Sequence, residues 1–188
     1  DTVMLLISHQ PGRLLPTIVS RCRTLRCVSL GPEDMARALA QAGSDPGPEA
    51  PALAELAQGS VGAAKRLLSL DGLALYAEIV GLFGETLNRP AALKLAETAA
   101  GRTAVDRFDL MLDLFDMLMA RLARAGISGA PRVQAAPGEA LLMARIAPDA
   151  MASGRWADLA QSLGARARHG RAVNLDPAAL ILDMIISI

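Results

Sequence analysis

The sequence predicts a mainly α protein with a short α/β segment at its start. Three observations carry that prediction. TVMLLIS at 2–8 is a continuous apolar run with the pattern of a strand buried on both faces. After about residue 30 the chain switches to alanine- and leucine-rich segments whose apolar residues recur at helical spacing. Of the 188 residues, 52% are hydrophobic and 3% aromatic, and 19 basic residues balance 19 acidic ones. Such a chain buries a substantial core, in one or two small domains, and is not disordered.

The elements follow in order. HQPGRLLP at 9–16 interrupts the first strand with Gly12 and two prolines. TIVSR at 17–21 is a helical turn or loop, and TLRCVSL at 24–30 alternates like a second short strand. GPEDMARALAQAG at 31–43 then opens a helix. Pro32 suits its first position, Glu33 and Asp34 its first turn, and Gly43 its end. SDPGPEAP at 44–51 is a loop. A second helix in 50–60 stops at Gly59, and a third in 60–70 is capped by Ser60. Three short helices so close together form a small bundle. Longer amphipathic helices are predicted at 71–87, 90–100, 103–125, 138–147, 148–169 and 175–187, with one substantial loop at 125–140. The resulting division is 1–28, 29–70 and 71–188.

The helix over 103–125 is two-faced. Asp106, Asp109, Asp113 and Asp116 fall within about 80° of one another on a helical wheel. Phe108, Met111, Leu112, Leu114, Phe115, Leu118, Met119 and Leu122 fill a broad arc opposite. The acidic stripe reads first as a solvated face. A metal or a basic partner is the sharper alternative.

Several function classes are excluded or disfavoured. Few aromatics and no net charge argue against a stacking platform or a dedicated nucleic-acid binder. No apolar run approaches the ~20 residues of a membrane helix, and the start has no secretory pattern. An apolar run beginning at the second residue predicts that further chain precedes residue 1. Cys22 and Cys27 form neither a disulfide framework nor a zinc set, and His9 and His169 are far apart in sequence. The cysteines read as reduced, part-buried thiols, and no metal is expected.

No nucleophile–base motif is present. GSVGAAKR at 59–66 mimics a phosphate loop, but Ala63 and Ala64 separate Gly62 from Lys65, and Arg66 replaces the hydroxyl of G-x-x-x-x-G-K-S/T. It also follows a predicted helix instead of a strand. The other lysine, Lys94, offers no such motif either. Two basic runs remain. GARARHGR at 164–171 reads as a helix end whose cations complement the dipole, or as a contact to DNA backbone or an acidic partner. RCRTLR at 21–26 places arginines on a turn after a strand. There they are either surface residues paired with carboxylates or a rigid cationic fork for phosphate.

LLISHQPGRLLPTIVSRCRTLRCVSL at 5–30 closely resembles the segment from the sensor-1 strand through the Ser-Arg-Cys motif of clamp-loader AAA+ subunits. The likeness lies in the order of features: apolar strand, Ser8-His9, then P-x-x-L-x-x-T-I-x-S-R-C from Pro11 to Cys22. AQGSVGAAKRLL at 57–68 resembles the sensor-2 region of a three-helix lid, and NLDPAALILDMIISI at 174–188 resembles the last helix of a collar domain. By that resemblance 1–28 is a remnant of an AAA+ core, 29–70 a lid and 71–188 a helical collar for oligomerisation.

The resemblance also implies roles. ATPase members of the family carry arginine where this chain has Gly62, which points to a non-ATPase stator of the bacterial DNA polymerase III clamp loader. Arg21 is then an arginine finger acting in trans on a neighbour's ATP. Ser20 and Cys22 position its turn, without redox chemistry, and Arg13, Arg23 and Arg26 serve as supports or structural pairs. The chain itself is expected to need no cofactor and to perform no catalysis. Its partners are gamma/tau-type and delta subunits through the collar, and indirectly the sliding clamp and primed DNA, in the cytoplasm and without a membrane. A gamma/tau-type ATPase subunit and a helical adaptor unrelated to replication are the alternatives.

Overall fold

The computed structural model describes residues 2–101 and 104–188. Asp1 and Thr103, where the first predicted unit and the long acidic helix begin, lie outside the described residues. The described chain is mainly helical. A 3-10 turn at Pro11–Arg13 leads to the single-turn helix α1 (Pro16–Val19). Helices α2 (Pro32–Gln41), α3 (Ala50–Leu56) and α4 (Val61–Ser69) follow. Then come α5 (Gly72–Leu82), α6 (Arg89–Glu97), α7 (Val105–Ser128), α8 (Glu139–Ile146), α9 (Ala150–Ala172) and α10 (Pro177–Ser187).

Local chemistry sets most of these starts. Pro32 stands in the first turn of α2, where its missing N–H costs nothing. Ser60, Asn88, Asp149 and Asp176 each accept a hydrogen bond from a backbone N–H in the first turn of α4, α6, α9 and α10. Helix α5 ends sooner than its apolar pattern predicts, because Phe83 and Leu87 pair as an isolated antiparallel bridge around a tight turn.

The two strands expected at 2–8 and 24–30 do not form, and the sheet-bearing part of the fold prediction is corrected accordingly. A strand satisfies its backbone only against a neighbouring strand, and no such neighbour stands beside either segment among the described residues. Val3, Leu5 and Ile7 are 84%, 87% and 89% exposed, and Leu25 and Val28 are exposed as well. The cysteines are corrected too: Cys22 and Cys27 are free thiols and both are exposed, not part-buried.

Helices α2, α3 and α4 pack on one another, with Met35, Leu39, Leu53 and Ala64 at their centre. The larger body is organised by α7, whose eight predicted apolar residues are all buried. At 24 residues it is about 36 Å long. Its main partner is α9, which runs antiparallel: Gly126 near the end of α7 meets Asp149 and Ser153 at the start of α9, while Asp109 meets Arg171 at the other end. A Cβ on Gly126 would lie 2.1 Å from the Asp149 carbonyl oxygen, so only glycine permits this approach. The Ser153 hydroxyl exploits the closeness, accepting from Gly126 N–H at 3.0 Å and donating to the Leu122 carbonyl oxygen. One continuous apolar core, including Tyr76, Phe115, Met119 and Ile181, joins the three short helices to α5–α10.

Candidate functional site

Arg21 sits in the turn that leaves α1. Successive i→i−3 bonds build that turn: Arg21 N–H donates to Ile18 O at 3.1 Å, and Cys22 N–H to Val19 O at 3.4 Å. Ser20 closes the helix twice, through its N–H to Pro16 O at 2.9 Å and its hydroxyl to Thr17 O at 3.3 Å. Backbone and hydroxyl bonds thus fix where the Arg21 side chain leaves the chain. Ser20, Arg21 and Cys22 are all exposed. The Arg21 guanidinium has no carboxylate partner among the described residues. Of the neighbouring arginines, Arg13 donates to Gln10 Oε1 at 3.0 Å, whereas Arg23 and Arg26 make no ion pair among the described residues.

Gly62 is an exposed residue in the first turn of α4, and the space where a side chain would go is open, with Ser60 Oγ at 4.0 Å. Packing therefore does not require glycine there. The preceding element is α3, so GSVGAAKR follows a helix and lacks the strand-to-helix geometry of a phosphate loop.

The acidic stripe of α7 meets a basic partner within the same chain. Asp109 pairs with Arg171 at 3.0 Å, Asp113 pairs with Arg66, and Asp116 faces Arg168, while Asp106 is exposed. Arg166 pairs with Asp183. The basic run at 164–171 is therefore largely engaged by carboxylates of α7 and α10. Among the described residues no cluster of three or more His, Cys, Asp and Glu is set to hold a metal. Partial burial and the neighbouring Asp113 raise the Asp116 pKa above the ordinary carboxyl value, with Arg168 opposing them. A raised carboxyl pKa means that the ionised form weakens the fold at neutral pH and that this cost is relieved as pH falls. Asp116→Asn is expected to leave the melting temperature unchanged or slightly higher at pH 7, with the gain over wild type shrinking on acidification.

The most buried polar cluster lies elsewhere. Arg121 on α7 is 3% exposed and Glu139 at the start of α8 is fully buried. Arg121 Nε donates to Glu139 Oε1 at 2.7 Å and Nη2 to Oε2 at 3.1 Å, a bidentate pair, and Nη2 also reaches Val133 O. Glu139 further accepts from Tyr76 Oη and from Ala135 N–H at 2.8 Å. Arg121 Nη1 donates to Glu55 on α3 at 2.6 Å. A cleft of about 690 Å³ opens beside Glu55, lined also by Gly59, Arg121 and Pro131. Burial pushes the Tyr76 phenol far above its ordinary value, Glu139 adds to the rise, and Arg121 opposes it.

Tyr76 thereby makes stability depend on alkaline pH. The folded protein holds the phenolic proton at pH values where an unfolded tyrosine has lost it, so the contribution is complete below pH 10.0 and falls above it. The slope is about 1.4 kcal/mol per pH unit. Denaturant melts of wild type and Tyr76→Phe between pH 9 and 11 are expected to converge as pH rises, the variant lacking that part of the slope.

The sequence reading missed this cluster, although one signal was available. Leu110, Leu114 and Leu118 form one stripe of α7, and Arg121 continues it at i+3. A cation inside an apolar stripe must have a buried counter-ion.

Comparison with known proteins finds one local likeness. A 27-residue segment is 74% identical to DNA polymerase III subunit delta' of Pseudomonas aeruginosa. That segment covers 14% of this chain and 8% of the relative's length. The likeness is to a polymerase III subunit, and it is short. No protein-family model matches the chain, and no solved structure does. Among the described residues no helix is long and apolar enough to cross a membrane.

Proposed function

We propose that this chain is part of a delta-prime-type subunit of a bacterial clamp loader, a non-ATPase stator that helps load the sliding clamp onto primed DNA in the cytoplasm. The observation that carries the reading is Arg21: exposed, without a carboxylate partner among the described residues, and held on a hydrogen-bonded turn. The local identity to a delta' subunit supports it. In this reading residues 1–28 belong to an AAA+ core, residues 29–70 with α2–α4 are the lid, and residues 71–188 with α5–α10 are the collar that contacts gamma/tau-type and delta subunits. Arg21 serves as the finger toward ATP on the adjacent gamma/tau-type subunit, where a planar, permanently charged fork stabilises the transferring phosphoryl group. Ser20 and Cys22 hold the turn. With Gly62 at the sensor-2 position, the chain makes no arginine contact to a nucleotide of its own.

Assembly provides the test. The full-length protein carrying this sequence is mixed with gamma/tau-type and delta subunits, sized by gel filtration and assayed for ATP turnover. The expected result is a stable complex whose turnover rises with clamp and primed DNA, and no turnover by the chain alone. Turnover by the chain alone would favour a gamma/tau-type ATPase, and failure to assemble would favour an unrelated helical adaptor.

A further inference from the structure

Two ion pairs of opposite polarity join the three-helix unit α2–α4 to α7. Glu55 on α3 meets Arg121, and Arg66 on α4 meets Asp113. On α7 the two contact points are eight residues apart, about 12 Å along one helix. Arg66 adds a second bond, from Nη2 to the Asp106 carbonyl oxygen. The covalent link between the two units is the α4–α5 corner, where Asp71 adopts a left-handed conformation (φ 51°). That corner is tight, since a Cβ on Gly72 would lie 2.5 Å from Leu67.

We propose that these two pairs form a polarised clamp that holds α2–α4 in one orientation on α7, with one tight jaw and one releasable jaw. An apolar core crosses the junction, and its hydrophobic driving force is non-directional, whereas the charge pairs add a directional term. Reversed charges at two separated points on one helix accept only one placement of α3 and α4, because the inverted placement sets like charges against each other. The jaws differ in strength. Arg121 is buried and already fixed by Glu139 and Val133, so its fork is preorganised for Glu55. The Arg66 and Asp113 side chains are 39% and 59% exposed, open to screening by salt. When Glu55 departs, Arg121 still keeps its bidentate partner, so the tight jaw opens without leaving a buried charge unpaired. The open side of the junction is the cleft beside Glu55. The two jaws act in the same way whether or not the chain serves a clamp loader.

Amide hydrogen exchange on the full chain tests the clamp, comparing α2–α4 with α9–α10 in Glu55→Ala, Asp113→Asn, the double variant, and the exchange Arg66→Asp with Asp113→Arg. The double variant is expected to lose roughly tenfold in protection over α2–α4, with α9–α10 unchanged. The exchanged pair restores attraction at the exposed jaw but gives both jaws the same polarity, so it is expected to recover only part of the protection that Asp113→Asn loses. Raising salt from roughly 0.05 to 0.5 M should loosen α2–α4 in Glu55→Ala, which relies on the exposed jaw, and not in Asp113→Asn. Unchanged protection of α2–α4 in the double variant would overturn the clamp. So would an equal loss over α9–α10, which would mean general destabilisation.

Discussion

Glu139→Ala is expected to lower the melting temperature by roughly 10 °C, or to prevent folding altogether. The carboxylate is fully buried and holds four donors: Arg121 Nε and Nη2, Tyr76 Oη and Ala135 N–H. Alanine removes every acceptor at once. The guanidinium then keeps only Glu55, at the edge of the cleft, as counter-ion, and the phenol and one amide lose their partner. Stranding one member of a buried ion pair costs about 3–5 kcal/mol, a large share of the ~5–15 kcal/mol that a domain has in total. Glu55→Ala should cost much less, because Arg121 retains Glu139. Melting curves of the two variants check the ordering, and equal, small effects would show that the cluster is not a keystone of the fold.

The helices were readable because their signals are local. Pro32, Ser60 and Gly59 mark ends within a few residues of themselves, and α7 announces its buried arc through Phe108 to Leu122. The strands were misread because an apolar run such as TVMLLIS reports only that its side chains resemble those of a buried strand. Whether a neighbour exists to accept its backbone bonds is a non-local fact. The ion pairs were illegible for the same reason. Arg121 finds its counter-ions 18 and 66 residues away, and Arg66 finds Asp113 at a separation of 47. Glu55, Arg66, Asp113 and Glu139, taken singly, resemble ordinary helix-surface charge, whereas Arg121 stands in line with Leu110, Leu114 and Leu118. The acidic stripe shows the limit most clearly: its alignment on one face could be computed, but not that Arg66, Arg168 and Arg171 face it. Around Arg21 the sequence was informative about order and spacing, and the fold adds that the turn is hydrogen-bonded and the side chain exposed.

The second large effect concerns function. Arg21 is exposed and has no carboxylate partner among the described residues, so Arg21→Ala should alter stability by less than about 0.5 kcal/mol. A finger in trans is worth on the order of 10³-fold or more in phosphoryl transfer at the site it serves. Arg21→Lys keeps the charge but loses the bidentate fork, so it should recover only a small part of the rate. The most direct measurement is therefore single-turnover ATP hydrolysis at the adjacent gamma/tau-type site, in a clamp loader reconstituted with the full-length protein, either wild type or Arg21→Ala. With Arg21 as the proposed finger, the expected result is normal assembly of the variant and a loss on the order of 10³-fold at that site. Normal assembly with wild-type turnover at that site would contradict it.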